Sequence, residues 1–377
     1  MTTPDRAPAR SPLDVALDVF RMRQYFDAVV RARDFATAVA KDLRFVDTAR
    51  RGLLPMPFDR HPHPSIVFPP TAEPVLSGSG GRVAVVATGG SGALASLVGV
   101  ARALEETGIS VSVYSVCSGG ALFGFPLGAG MSAEEVAELT ASMEPREYID
   151  PGWRELARLL PTLGGGWAGL LRGERIEAFY RRHLGDLTLG QLAVPTYAPV
   201  WNVEHNRVDY LGPSTYPDLP VARAIRMAVS LPLFVQPVTL DGLSWCDGGI
   251  VDIFPVHPVL DLEPPVAAAI AVNCFYPHNF EGEDVTGWQH RPLSIVTAAS
   301  QVRTSQQVQL ARENLARLRQ ATDTVLVEPV PYRKVAGTGF YEQFVDTAEW
   351  PEFMRAGRTA MLDALPAPAA RGRRAAG

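Results

Sequence analysis

At 377 residues, with 47% hydrophobic and 20% charged residues, the chain can bury a sizeable core and is too apolar for a disordered protein. A net charge of -5 gives no basis for nucleic-acid binding, and three cysteines (Cys117, Cys246, Cys274) are too few and too odd in number for a disulfide framework. The first ten residues lack the apolar stretch of a secretory signal, and no apolar run reaches the roughly 18 residues that span a bilayer. The expected setting is cytoplasmic, at most peripheral to a membrane.

Residues 1–10 read as a disordered leader. Ser11, Pro12 and Asp14 form a helix start: a capping hydroxyl, a proline at the first helical position and an acid in the first turn. Leu13, Leu17, Phe20, Val29, Val30, Val39 and Leu43 continue an apolar pattern toward a stop at Gly52, so residues 11–80 are expected to be a helical extension followed by a proline-rich connector. From Arg82 the pattern changes. Val83–Val86 reads as a short buried strand, Leu94–Leu104 as a buried helix and Ser110–Val116 as a second strand. Strand, helix, strand, turn, helix predicts a parallel sheet with right-handed crossovers.

Two turns in this framework can carry chemistry. Thr88-Gly89-Gly90-Ser91-Gly92 follows the first strand, and its glycines let backbone amides approach a ligand closely. It suits an oxyanion hole; a dinucleotide-binding loop is disfavoured, because the full G-x-G-x-x-G pattern and its downstream acid are absent. Cys117-Ser118-Gly119-Gly120 follows the second strand and leads into a small-residue helix. A serine at a sharp strand-to-helix turn has the geometry of a nucleophile elbow. The bland alternative is a tight turn that Ser118 merely caps. Cys117 reads as a small buried packing residue.

Further along, Met143–Phe179 holds Trp153, Leu159, Leu160 and Gly164-Gly165-Gly166-Trp167, a pattern that fits either a lid or ordinary core helices. Cys246-Asp247-Gly248-Gly249 supplies a carboxylate at a turn, and Asp247 is the candidate base for Ser118. Among the seven histidines only His257, ten residues later, is an alternative base, and a loop role suits it better. Val266–Val272 and Thr324–Val327 read as strands, Leu293–Leu318 as a long helix, Tyr341–Leu365 as a closing helical segment, and 366–377 as a disordered tail. No Cys/His spacing suggests a metal site.

The order of these parts resembles the patatin-like phospholipases over roughly residues 82–365. Gly89, Gly90 and Ser91 match that family's oxyanion loop, Ser118 its nucleophile and Asp247 the base of its Ser–Asp dyad. Ala228-Val229-Ser230-Leu231-Pro232, with Phe234 and Pro237, resembles the stretch ahead of the aspartate, and Ile250–Pro255 the stretch after it. The resemblance implies a three-layer α/β/α catalytic domain over 81–365 with a mostly parallel central sheet. It also implies hydrolysis of a lipid or acyl ester through an acyl-serine, with amides of Gly89, Gly90, Ser91 and Gly92 holding the oxyanion and with no cofactor. An acyltransferase or thioesterase would use the same dyad, and a catalytically silent binding protein would keep the same fold. Two departures stand out. Val116 replaces the first glycine of G-x-S-x-G, where its branched side chain is expected to crowd the elbow. Ser91 and Ala93 stand where the loop usually has a glycine and a basic residue.

Overall fold

Strand β1 (Val83–Ala87) is apolar at every position and buried throughout, as a strand covered on both faces must be. Val83, Val85 and Ala87 join one buried cluster, whereas Ala84 and Val86 join another. That alternation places β1 between two layers. The protein is seen here as a computed structural model that describes residues 82–152, 169–232, 234–280, 294–335, 343 and 347–365. The expected helical extension and connector, Trp153 and the Gly164–Trp167 stretch, and both termini lie outside the described residues.

The described strands form one 8-stranded sheet. β1 pairs in parallel with β2 (Val111–Val116) on one side and β7 (Ala268–Val272) on the other, and β7 pairs in parallel with β8 (Asp323–Val327). β3 (Thr196–Asn202) continues beside β2 in parallel through Thr196 and Tyr197. Beyond it the sheet turns antiparallel: β3 pairs with β4 (Arg207–Leu211) and with β6 (Leu243–Asp247), and β6 pairs with β5 (Val238–Leu240). The parallel half follows the sequence pattern. The antiparallel half does not, because Pro199 interrupts β3 as a strand signal; it lies just past the last residue that β3 pairs with β2, where its missing N–H costs no bond to that strand.

On the face of Val85 lie helix α1 (Ser96–Glu106), α2 (Ala121–Gly128), α5 (Val221–Ala228) and α7 (Trp350–Ala364), with α3 (Ala133–Ala141) and α4 (Glu174–Leu184) behind them. The opposite face is covered by α6 (Ser294–Ala321), through Leu315 and Leu318, and by the segment from Ile253 to Val259. The architecture is therefore a mixed, mostly parallel sheet between helical layers. The expected helix at Leu94 is preceded by a 3-10 turn from Ser91 to Ala95, so the glycine loop ends in a tight turn rather than a regular helix start. The described part of the closing segment is α7. No helix among the described residues is long and apolar enough to cross a membrane.

Candidate active site

Strand β2 delivers Ser118 at its C-terminal end. Cys117 is still extended, but Ser118 takes a φ of +52, a left-handed conformation that L-residues other than glycine seldom adopt. The chain then closes a 3-10 turn over Ser118–Gly120 and enters α2, with the Gly120 amide donating to the Cys117 carbonyl at 2.8 Å. Cys117, Gly119 and Gly120 are buried, whereas Ser118 is half-buried. A sharp, strained turn thus brings one hydroxyl-bearing residue to the surface among buried neighbours.

The expected crowding by Val116 is resolved within the same motif. A Cβ at Gly124 would lie 2.7 Å from Val116 Cγ1, and one at Gly120 would lie 3.3 Å from Val116 Cβ. The valine that replaces the first glycine is accommodated by Gly120, which closes the turn, and by Gly124, on the helix that follows.

The glycine loop lies across the elbow. A Cβ at Gly89 would sit 3.3 Å from Ser118 Cβ and 3.3 Å from Cys117 Sγ. A Cβ at Gly119 would collide with the Ser91 carbonyl oxygen and lie 3.0 Å from the Ser91 Cα. The register that pairs Ala87 with Val116 puts the ends of β1 and β2 level, so their outgoing turns meet. The Gly89 amide donates to the Ile253 carbonyl at 2.9 Å, which commits it to the fold. Among the described residues no such acceptor takes the amides of Gly90, Ser91 or Gly92. Gly92 packs against Gln343 and Trp350.

Asp247 ends β6 and is 1% exposed. Its Oδ1 accepts the Gly249 amide at 2.8 Å, and its own amide donates to the Ser230 carbonyl at 2.9 Å. Asp247 pairs with Val200 on β3, three residues beyond Tyr197, the last residue through which β3 pairs with β2. A Cβ at Gly249 would fall 2.7 Å from Cys117 Sγ and 3.1 Å from Asp247 Oδ1, so Gly249 lies against both the carboxylate and the residue next to the serine. Burial, then the nearby charges of Asp247 and Asp252, push the Cys117 thiol well above its ordinary range. A thiol held protonated is a poor nucleophile, in keeping with the packing role expected for Cys117. Cys246 and Cys274 are pushed up to about 12, burial being the leading cause.

Beneath the aspartate lies a polar network that motif reading missed. Asp252 is buried; Tyr210 donates its hydroxyl to Asp252 Oδ2 at 2.5 Å, and Asn314 donates to Asp252 Oδ1 at 3.0 Å. Desolvation raises the Asp252 carboxyl above the usual carboxylate range against the pull of these donors. Gln307 donates to the Gly249 carbonyl at 3.2 Å and Asn314 to that of Phe254 at 2.8 Å. Gln307 and Asn314 are two turns apart on α6, on the face that also carries the buried Leu315 and Leu318. Polar residues at core positions of that helix were the available signal. The His257 ring lies 6.3 Å from that of Tyr210, centroid to centroid. No group of three His, Cys, Asp or Glu side chains suited to a metal ion occurs among the described residues.

Part of the chain is similar in sequence to known proteins. Residues 85–260 match the family model for patatin-like phospholipases. An uncharacterized NTE family protein of Mycobacterium bovis is 28% identical over 205 residues, 54% of this chain and 52% of that one. Lysophospholipase NTE1 of Cryptococcus neoformans is 25% identical over 245 residues, 63% of this chain and 14% of that one. The chain thus spans about half the length of the mycobacterial relative and a small part of the fungal one. Among solved structures, VipD of Legionella pneumophila superposes with a TM-score of 0.42 at 15% identity, over 75% of this chain and 66% of that one. The loop, the elbow up to Val116–Ser118 and the aspartate all fall inside the segment over which the chain is similar to the patatin-like phospholipases.

Proposed function

We propose that the protein hydrolyses carboxylic esters of lipids through an acyl-enzyme on Ser118, with Asp247 as the base. The observation that carries this reading is the left-handed φ of Ser118, at a half-buried position between buried neighbours at the end of β2, with a buried carboxylate on the far side of the neighbouring strand β3. Strain of this kind persists where the surrounding structure imposes it, and it clusters at functional sites. In the first step Asp247 takes the hydroxyl proton as Ser118 Oγ attacks the ester carbonyl carbon. The oxyanion accepts hydrogen bonds from amides of the Gly90–Gly92 turn and from Gly119, the residue after the nucleophile. The tetrahedral intermediate collapses, the alcohol leaves with the proton, and the fatty acyl group remains on Ser118. Asp247 then takes a proton from water, whose oxygen attacks the acyl carbonyl; the free acid departs and the proton returns to Ser118 Oγ.

The lipid class of the substrate is supported by the match to the patatin-like phospholipases and by the similarity to a fungal lysophospholipase. The fold, with no membrane-crossing helix among the described residues, suits an enzyme that meets lipid from the aqueous side. Acid-quenching the enzyme during turnover of a p-nitrophenyl ester, followed by peptide mass spectrometry, tests the reading. An acyl group on the peptide containing Ser118 is the expected result. Turnover by the wild type without an acylated Ser118 would contradict it, and no turnover of any ester would favour a silent binding protein.

A further inference from the structure

We propose that the Ser91 side chain is a further oxyanion donor, so that the hole holds a hydroxyl as well as backbone amides; this rests on the reading of Ser118 as nucleophile. Three observations converge on Ser91. Its φ is +57, a conformation that glycine adopts freely and serine only at a cost. Its side chain is 3% exposed, and among the described residues its Oγ has no hydrogen-bond partner. Its backbone lies directly on Gly119, the residue after the nucleophile, as the collision with any Cβ at Gly119 shows.

The first two observations are liabilities that one substitution would remove. Glycine at position 91 would release the backbone strain and eliminate a buried hydroxyl that has surrendered its water without gaining a partner. The atoms that lie nearest a Cβ at Gly119 are the Ser91 carbonyl group and Cα, so it is the backbone of Ser91 that is pressed against the elbow. The loop at this point borders the elbow, where negative charge develops on the substrate oxygen. A hydroxyl has one hydrogen to donate and turns about χ1 to do so. A donor without a ground-state partner, met by an oxyanion, forms its strong charge-assisted bond only in the transition state. This is the form of binding that raises kcat and leaves KM nearly unchanged. It also departs from the expectation for an amide-only loop, in which removal of the Ser91 hydroxyl is harmless.

The test uses the full chain with Ser91→Ala, which keeps the amide and the strain, and Ser91→Gly, which keeps the amide and releases the strain. For each, kcat and KM on one p-nitrophenyl ester are read beside the thermal midpoint. The expected result is a fall in kcat of roughly ten- to a hundredfold in both variants, with KM within about threefold and a midpoint no lower than the wild type's. A kcat within twofold of the wild type in both variants would overturn the proposal. So would a fall in kcat that tracks a fall in the midpoint, because that is the mark of a structural role. Labelling of wild-type Ser118 by a fluorophosphonate separates the two levels. If Ser118 is labelled and the Ser91 variants turn over normally, the hydroxyl's role alone fails. If Ser118 is not labelled, the nucleophile reading fails and takes this inference with it.

Discussion

The turn that carries Ser118 follows β2 and the turn that carries Asp247 follows β6, on either side of strand β3, and they are built by opposite means. Ser118 is half-buried and held in a left-handed conformation by the close fit of Val116, Gly120 and Gly124 behind it and the glycine loop beside it. Asp247 is buried, with unstrained backbone, and is held by hydrogen bonds: from its own amide to Ser230, from Gly249 to its carboxylate, and from Gln307 and Asn314 to the chain just beyond. A nucleophile has to protrude toward substrate, so steric fit fixes it. A base has to keep one orientation out of water, so a hydrogen-bond network fixes it. The two turns should therefore fail in different ways.

The largest effect is expected at the pair itself. Ser118→Ala should lower kcat on an ester by on the order of ten-thousandfold or more while the thermal midpoint stays near that of the wild type. Asp247→Asn should approach that loss, and the double variant should be little worse than either, because residues acting as one unit lose their effect together. Steady-state kinetics on the three proteins decides this. Additive losses would mean that the two residues do not act as a pair, and a loss at His257→Ala exceeding that at Asp247→Asn would give the role of base to the histidine.

Next comes the steric side. Gly124→Ala drives a methyl group toward Val116 and should destabilise the protein by about 1–3 kcal/mol, with a drop in activity as the elbow shifts. Adding Val116→Ala should recover much of both losses. Chemical denaturation of the two single variants and the double variant measures the coupling; strictly additive effects would show that Val116 and Gly124 do not share the strain.

The hydrogen-bonded side should respond more gently. Gln307→Ala removes the donor to the Gly249 carbonyl and should cost about 1 kcal/mol of stability, with a several-fold loss of kcat and little change in KM. Asp252 gives this side a pH signature. Burial raises its carboxyl in the folded protein, so the folded state binds the proton more tightly than the unfolded chain does. Its contribution is most favourable below the ordinary carboxylate range and declines as pH rises through the raised folded value. Asp252→Asn should flatten the part of the stability profile between those limits, as denaturation measured from acidic to neutral pH would show. An unchanged profile would remove Asp252 as the cause.

The two turns also differ in how plainly the sequence announces them. The elbow half is legible because a central parallel strand has to be apolar on both faces: Val83–Ala87 and Val111–Val116 stand out, and each ends at a small-residue turn. The aspartate half is legible only as the motif Asp247-Gly248-Gly249. Its strands are short, β5 being three residues long, and β3 contains a proline, so period-two alternation has little length in which to appear. The network of Tyr210, Asp252, Gln307 and Asn314 joins four distant stretches of chain, and its one local sign was amide side chains on the core face of α6. Where Val116 replaced glycine, the sequence suggested crowding; the space it needs comes from Gly124, on the other side of the serine, which only the fold brings back to it.

The most direct measurement of the central claim is the reaction of the wild-type protein with a fluorophosphonate probe, with the modified residue located by peptide mass spectrometry. The account predicts one adduct, on Ser118, absent from Ser118→Ala and formed much more slowly by Asp247→Asn. An adduct on another residue, or a rate of labelling unaffected by Asp247→Asn, would contradict it.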